Sequence, residues 1–179
     1  MTWRSWSLAM LAPLGLAACG GTDPIARIAC PRPAIPADAA DLTRYRDGPV
    51  RDLTTLEFDA KLNGLSGGCR PGRRGEAVDL RITPSFVVDR GPASTGRAVQ
   101  VPWLVAVLDN RTDQPLDRPQ RFATTVVFGP NETRANVEGQ SITIVLPVSE
   151  ERRATDYRVL VMLQLEEQEL EQNRRRGPR

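Results

Sequence analysis

Histidine is absent from this 179-residue chain, and lysine occurs only at Lys61, against 23 arginines. Without histidine there can be no Ser-His-Asp triad and no metal site built on imidazole. The arginine excess reads as a coding bias rather than a phosphate-binding design. Aromatic residues make up 5% of the chain, too few to suggest a carbohydrate-stacking platform. The formal net charge is +2, so no strong electrostatic case exists for nucleic acid, and none is expected as a partner. No apolar run approaches the twenty or so residues that a membrane-spanning helix needs. Cysteine occurs three times, at Cys19, Cys30 and Cys69.

The apolar run that does exist lies near the start. Arg4 supplies a positive charge, Trp6 to Leu16 form an apolar stretch of about eleven residues, and the small residues Ala17 and Ala18 precede Cys19. Such a stretch is an export signal, too short to remain as a span. Its ending, Leu16-Ala17-Ala18-Cys19, resembles the lipobox of bacterial lipoproteins. The resemblance implies that residues 1–18 are removed, that Cys19 becomes the acylated first residue, and that the chain is held on a membrane of the bacterial envelope. Two or more acyl chains hold a protein stably where one does not. Gly20 follows the cysteine where inner-membrane retention would call for Asp, so the resemblance points to the outer membrane, facing the periplasm. Removing Arg4 leaves a side-chain charge of about +1.

With Cys19 used for the lipid, Cys30 and Cys69 remain as an even pair in an exported chain, and a structural disulfide is expected between them. They lack the Cys-x-x-Cys spacing of a redox pair.

Residues 19–52 read as the acylated terminus and a Pro-rich linker, stiffened by Pro31, Pro33 and Pro36, with a turn of helix expected over Ala37 to Tyr45 and Asp38 as its cap. From Leu53 the period becomes two. Leu56, Phe58, Ala60 and Leu62 alternate with polar residues; Val78, Leu80, Ile82, Phe86 and Val88 do the same. Between them "SGGCRPGRRG" reads as a turn, and Pro84 marks an edge or bulge. "AVQVPWLVAVLDN" is apolar on both faces, Val99, Val101, Trp103, Val105 and Val107 on one and Leu104, Ala106 and Leu108 on the other, so a central or covered strand is expected there. "QRFATTVVF", "SITIVLP" and "YRVLVMLQL" complete six strands, and "EEQELEQNRRR" reads as a short polar helix or tail over 166–179.

Six short strands without an intervening helix predict an all-β antiparallel sandwich over 53–165. The stretch "LPVSEERRATDYRVLV" resembles the corner before the penultimate strand of immunoglobulin-like and fibronectin type III domains. That resemblance implies that Tyr157 is buried with its hydroxyl bonded to upstream backbone, a structural role. Asn110-Arg-Thr and Asn131-Glu-Thr match glycosylation sequons but read as turns in the bacterial chain that the lipobox resemblance implies. Asp109, Asp113 and Asp117 share a loop, where charge pairs with neighbouring arginines are expected rather than a cation. No catalytic residue, cofactor or metal is expected. The chain reads as a non-catalytic binding or scaffolding lipoprotein with an envelope protein as partner. The alternative is a periplasmic enzyme or small-ligand carrier whose pocket the sequence does not display.

Overall fold

The computed structural model describes residues 29–177, so the signal segment 1–18 and Cys19 lie outside the described residues. Eight strands are described: β1 (Asp41–Tyr45), β2 (Leu56–Pro71), β3 (Ala77–Arg90), β4 (Ala98–Asp109), β5 (Gln120–Val127), β6 (Arg134–Glu138), β7 (Ile142–Pro147) and β8 (Tyr157–Leu163). One helix, α1 (Glu167–Arg176), follows. The strands build two antiparallel sheets. The larger runs β1-β2-β3 and then gives β3 two successive partners, β6 on its C-terminal half and β7 on its N-terminal half. The smaller runs β5-β4-β8. This is the all-β sandwich that the alternating pattern predicts.

The alternation decides what lies between the sheets. Phe58, Ala60 and Leu62 of β2 are buried, as are Val78, Leu80, Ile82, Phe86 and Val88 of β3. From the other sheet come Val99, Val101, Trp103 and Val105 of β4, with Val159, Val161 and Leu163 of β8. Trp103 is fully buried. Its ring stacks on Phe122 at a centroid distance of 4.5 Å, and its indole N–H donates to the Thr124 hydroxyl at 3.0 Å. A buried indole needs such a partner, since an unmet donor would cost about 1–3 kcal/mol. β4 is the centre of its sheet, and its outer residues Leu104, Ala106 and Leu108 are half-buried.

Several boundaries differ from the sequence reading. The linker expected over 19–52 is shorter, because Asp41–Tyr45 form β1 against β2, with Leu42 fully buried. The helical turn expected over Ala37–Tyr45 is a single 3-10 turn, Ala37–Ala39, which Pro36 precedes without a side-chain cap, so Asp38 is no cap. The turn expected at 66–75 begins only after Pro71: Gly67, Gly68 and Cys69 pair with Ile82, Arg81 and Leu80. Gly67 (φ 135°) is there for close approach, because a Cβ would lie 2.0 Å from the Arg81 carbonyl oxygen. β6 was not expected, since "RANVE" offers only two apolar residues, both half-buried. Pro84 is not on an edge. It sits where β3 changes partner from β6 to β7, and its carbonyl accepts the Gly139 N–H at 2.8 Å. A proline fits there because no N–H is required of it.

The C-terminal stretch is a helix, closed at its start by Glu166 and Glu169 in a reciprocal capping box. It docks on β1 through polar rather than apolar side chains. The buried Asn173 amide donates to the carbonyls of Asp38 (3.0 Å) and Asp41 (2.7 Å), and Arg44 meets Glu166 at 2.8 Å.

Candidate functional site: the open seam

A sandwich has two lateral seams where the sheets part company. Here they differ. On the β2–β8 side the chain itself fills the gap. Ala34 donates to the Val159 carbonyl (2.9 Å) and accepts from the Val161 N–H (3.0 Å), and Ile35 packs on the core. Just upstream Cys30 is bridged to Cys69 near the end of β2, as the cysteine count predicts. Closing a loop with a sequence separation of 39 is worth about 4 kcal/mol on the chain-entropy model.

On the opposite side, between β7 and the β4–β5 hairpin, the seam gapes. A crevice of about 570 Å³ opens there. Its apolar wall is formed by Val105, Val107, Leu116, Ile144 and Leu146, and its rim by Asp117, Arg118, Gln120 and Arg152. β5 pairs with β4 only as far as Val105, opposite Gln120, so the last third of β4 lacks a full strand on that side. The loop that replaces it touches β4 through one bridge, Leu108 to Pro115.

The edge of β7 borders this crevice. The Val148 N–H donates to the Glu76 carbonyl at 2.8 Å, which fixes the parity of the β3–β7 ladder. Ile142, Ile144 and Leu146 therefore bond to β3, while the main-chain groups of Thr143 and Val145 point outward. Among the described residues they have no backbone partner on that side. The Val145 side chain is 59% exposed.

The floor of the seam is set by Tyr157. It opens β8, is buried, and its hydroxyl donates to the Pro147 carbonyl at 2.5 Å. The Arg152 guanidinium lies 5.1 Å from the ring centroid and pairs with Asp109 at 2.6 Å. The backbone N–H of Arg111, bonded to the Asp109 carboxylate at 2.9 Å, holds its pKa below the ordinary 3.8, with Arg152 acting in the same direction.

Asp109, Asp113 and Asp117 do not converge. Asp109 takes Arg152 at 2.6 Å and, as expected, Arg111 at 4.0 Å; Asp113 pairs with Arg158, and Asp117 accepts the N–H of Arg118. The partners are thus arginines of β8 and its approach as well as those of the loop itself. The expectation of no catalytic residue rests in part on counting no Gly-x-Ser-x-Gly stretch, and that count is wrong: Gly64-Leu65-Ser66-Gly67-Gly68 carries the spacing. Ser66 lies inside β2, opposite Thr83, with its hydroxyl 3.4 Å from the Thr83 carbonyl. An elbow needs a sharp strand-to-helix turn, whereas Ser66 stands in a strand that stays paired as far as Pro71.

The crevice has no signature in the sequence. Its wall is mostly core-patterned strand residues, Val105, Ile144 and Leu146 among them still buried, with Val107 half-buried and Leu116 exposed beside them. The chain matches no family model, no curated protein and no solved structure.

Proposed function

We propose that this chain is an envelope lipoprotein, acylated at Cys19 and non-catalytic, whose sandwich of the immunoglobulin-like or fibronectin type III kind binds an extended polypeptide along β7. One observation carries the binding part: outward-facing main-chain groups at Thr143 and Val145 lie beside an apolar crevice. An added strand gains hydrogen bonds from such an edge and specificity from alternate side chains entering the crevice. Tyr157, reaching back to the end of the preceding strand, supports the domain type, and the lipobox supports the anchor.

A photo-crosslinking residue at Val145 should give protein adducts in the envelope, whereas the same residue at Leu53, exposed elsewhere, should not. Cys19→Ser should move the chain to the soluble fraction and remove incorporation of a labelled fatty acid. Equal adducts at both positions would overturn the β7 reading, and a labelled, membrane-bound Cys19→Ser chain would overturn the anchor.

The volume of the crevice supports a second occupant, a small apolar ligand, since ligand sites commonly span about 300–1,000 Å³. Native mass spectrometry of the purified protein would show such a ligand as a discrete added mass, displaced by Leu146→Trp.

A further inference from the structure

The end of the molecule at which the described chain begins also carries a cluster of exposed arginines. Ala29 is exposed, and the next residue, Cys30, is tied by the disulfide to Cys69, two residues before the end of β2. The β2–β3 hairpin turns immediately beyond, over Gly72-Arg73-Arg74-Gly75-Glu76, with Arg74 at a φ of 57°. Arg32, Arg70, Arg73, Arg74 and Arg81 are all exposed here. The acidic residues at this end of the hairpin are Glu76 and Asp79, and Asp79 pairs with Arg70 at 3.3 Å. This leaves a local excess of three positive charges on a chain whose total is +2. In the adjoining loop Glu150 and Glu151 stand against Arg153, while Arg152 pairs with Asp109, so the loop takes one charge from that excess.

We infer that the β2–β3 hairpin docks on the anionic phospholipid headgroups of the membrane that holds the chain. The inference rests on the acylation of Cys19 proposed above. Ten residues lead from Cys19 to Ile28, a reach of at most about 35 Å when fully extended. They join the domain at the hairpin end, so the tether delivers this end, and not the opposite one, to the bilayer. Each arginine near an anionic surface contributes about 1 kcal/mol, or about fivefold in partitioning. An excess of three such charges gives about a hundredfold, and about 25-fold once the loop has taken its one, enough to be read on a free protein. For a tethered one it is ample, because the anchor turns docking into an intramolecular step. Guanidinium groups suit the task, since their planar fork matches phosphate oxygens in pairs. The disulfide then has a second consequence: it ties the basic hairpin to the membrane-proximal chain.

The test uses the whole mature chain from residue 19 with Cys19→Ser, so that no acyl chain contributes. It is sedimented with vesicles of phosphatidylcholine, alone or mixed with phosphatidylglycerol. Binding should require phosphatidylglycerol and disappear in high salt. R73Q/R74Q should lower it by about 25-fold, at about fivefold per arginine. R51Q/R121Q, an equal charge change away from the hairpin, should lower it by less than about twofold. Equal loss in both pairs, binding to neutral vesicles, or no binding to either would overturn the proposal. Fractionation of the wild-type chain with fatty-acid labelling tests the anchor separately. An unlabelled, soluble wild type with hairpin-dependent vesicle binding would overturn the anchor alone.

Discussion

The two seams of the sandwich are made from the same kinds of strand and end in opposite states. At the β2–β8 seam an N-terminal segment bonds to β8 at Ala34 and is locked by Cys30–Cys69. At the β7 seam the same alternation of apolar residues ends at a gap, because β5 stops pairing at Val105. The difference shows that an apolar strand pattern specifies a core and not its enclosure. Enclosure depends on whether a further segment of chain reaches the edge. The closed seam spends a disulfide and a stretch of prolines on this. The open one leaves two residues of backbone hydrogen-bonding capacity and a crevice of about 570 Å³ available.

Breaking the closed seam should have the largest effect. Cys30→Ser with Cys69→Ser should destabilise the domain by about 4 kcal/mol, the loop-closure value. In a domain of this size that lowers the melting temperature by roughly 8–16 °C. Calorimetry measures it, and hydrogen exchange should show the Ala34 and Val161 amides losing protection first. An unchanged melting temperature would mean that the seam is held by packing alone.

Tyr157 joins the two sides, since it lines the open crevice from the strand that the closed seam covers. Tyr157→Phe removes the bond to the Pro147 carbonyl and keeps the ring. Pro147 is exposed, so water replaces the hydroxyl and the loss should be about 1 kcal/mol by urea denaturation. A loss above about 3 kcal/mol would show that the hydroxyl organises the whole corner.

The ion pair on the open side should be visible as pH dependence. The Asp109 pKa is held down in the folded chain, so its contribution is fully present above the ordinary value of 3.8 and fades as pH falls through the lower folded value. Arg152→Gln should flatten part of that acid-side slope while leaving the Arg111 amide bond. Denaturation curves of the two proteins between neutral pH and acid should converge as the pH drops. Parallel curves would place the acid sensitivity elsewhere.

The smallest stability change should come from Val145→Lys, within about 0.5 kcal/mol because the side chain faces solvent. A charged edge residue blocks strand addition, so adducts from a photo-crosslinking residue at Thr143, the other outward position of β7, should vanish from an otherwise normal protein. A wild-type adduct pattern would show that the edge of β7 is not the contact.

How much of this was legible depended on range. The long strands carry their own period, so β2, β3, β4 and β8 could be read directly, and the disulfide followed from counting cysteines. Tyr157 stands in a local motif. β1 and β6 could not be read, because five residues such as "DLTRY" hold too few alternations to stand out, and pairing with a neighbour decides them. The glycines at 67 and 68 misled for a physical reason: the same residue serves a turn and a close strand crossing. The crevice was invisible, since it arises from where β5 ends relative to β7, two segments more than fifteen residues apart.

Pro84 has a consequence in motion. At this residue β3 passes from one partner to the other without contributing an N–H, so the ladders to β6 and β7 are separate cooperative units. β7 can therefore fray from Ala77–Ile82 while Ser85–Asp89 stay zipped to β6. The strand beside the crevice has its own local opening equilibrium, which a bound partner would suppress without touching the stability of the upper half of the sheet.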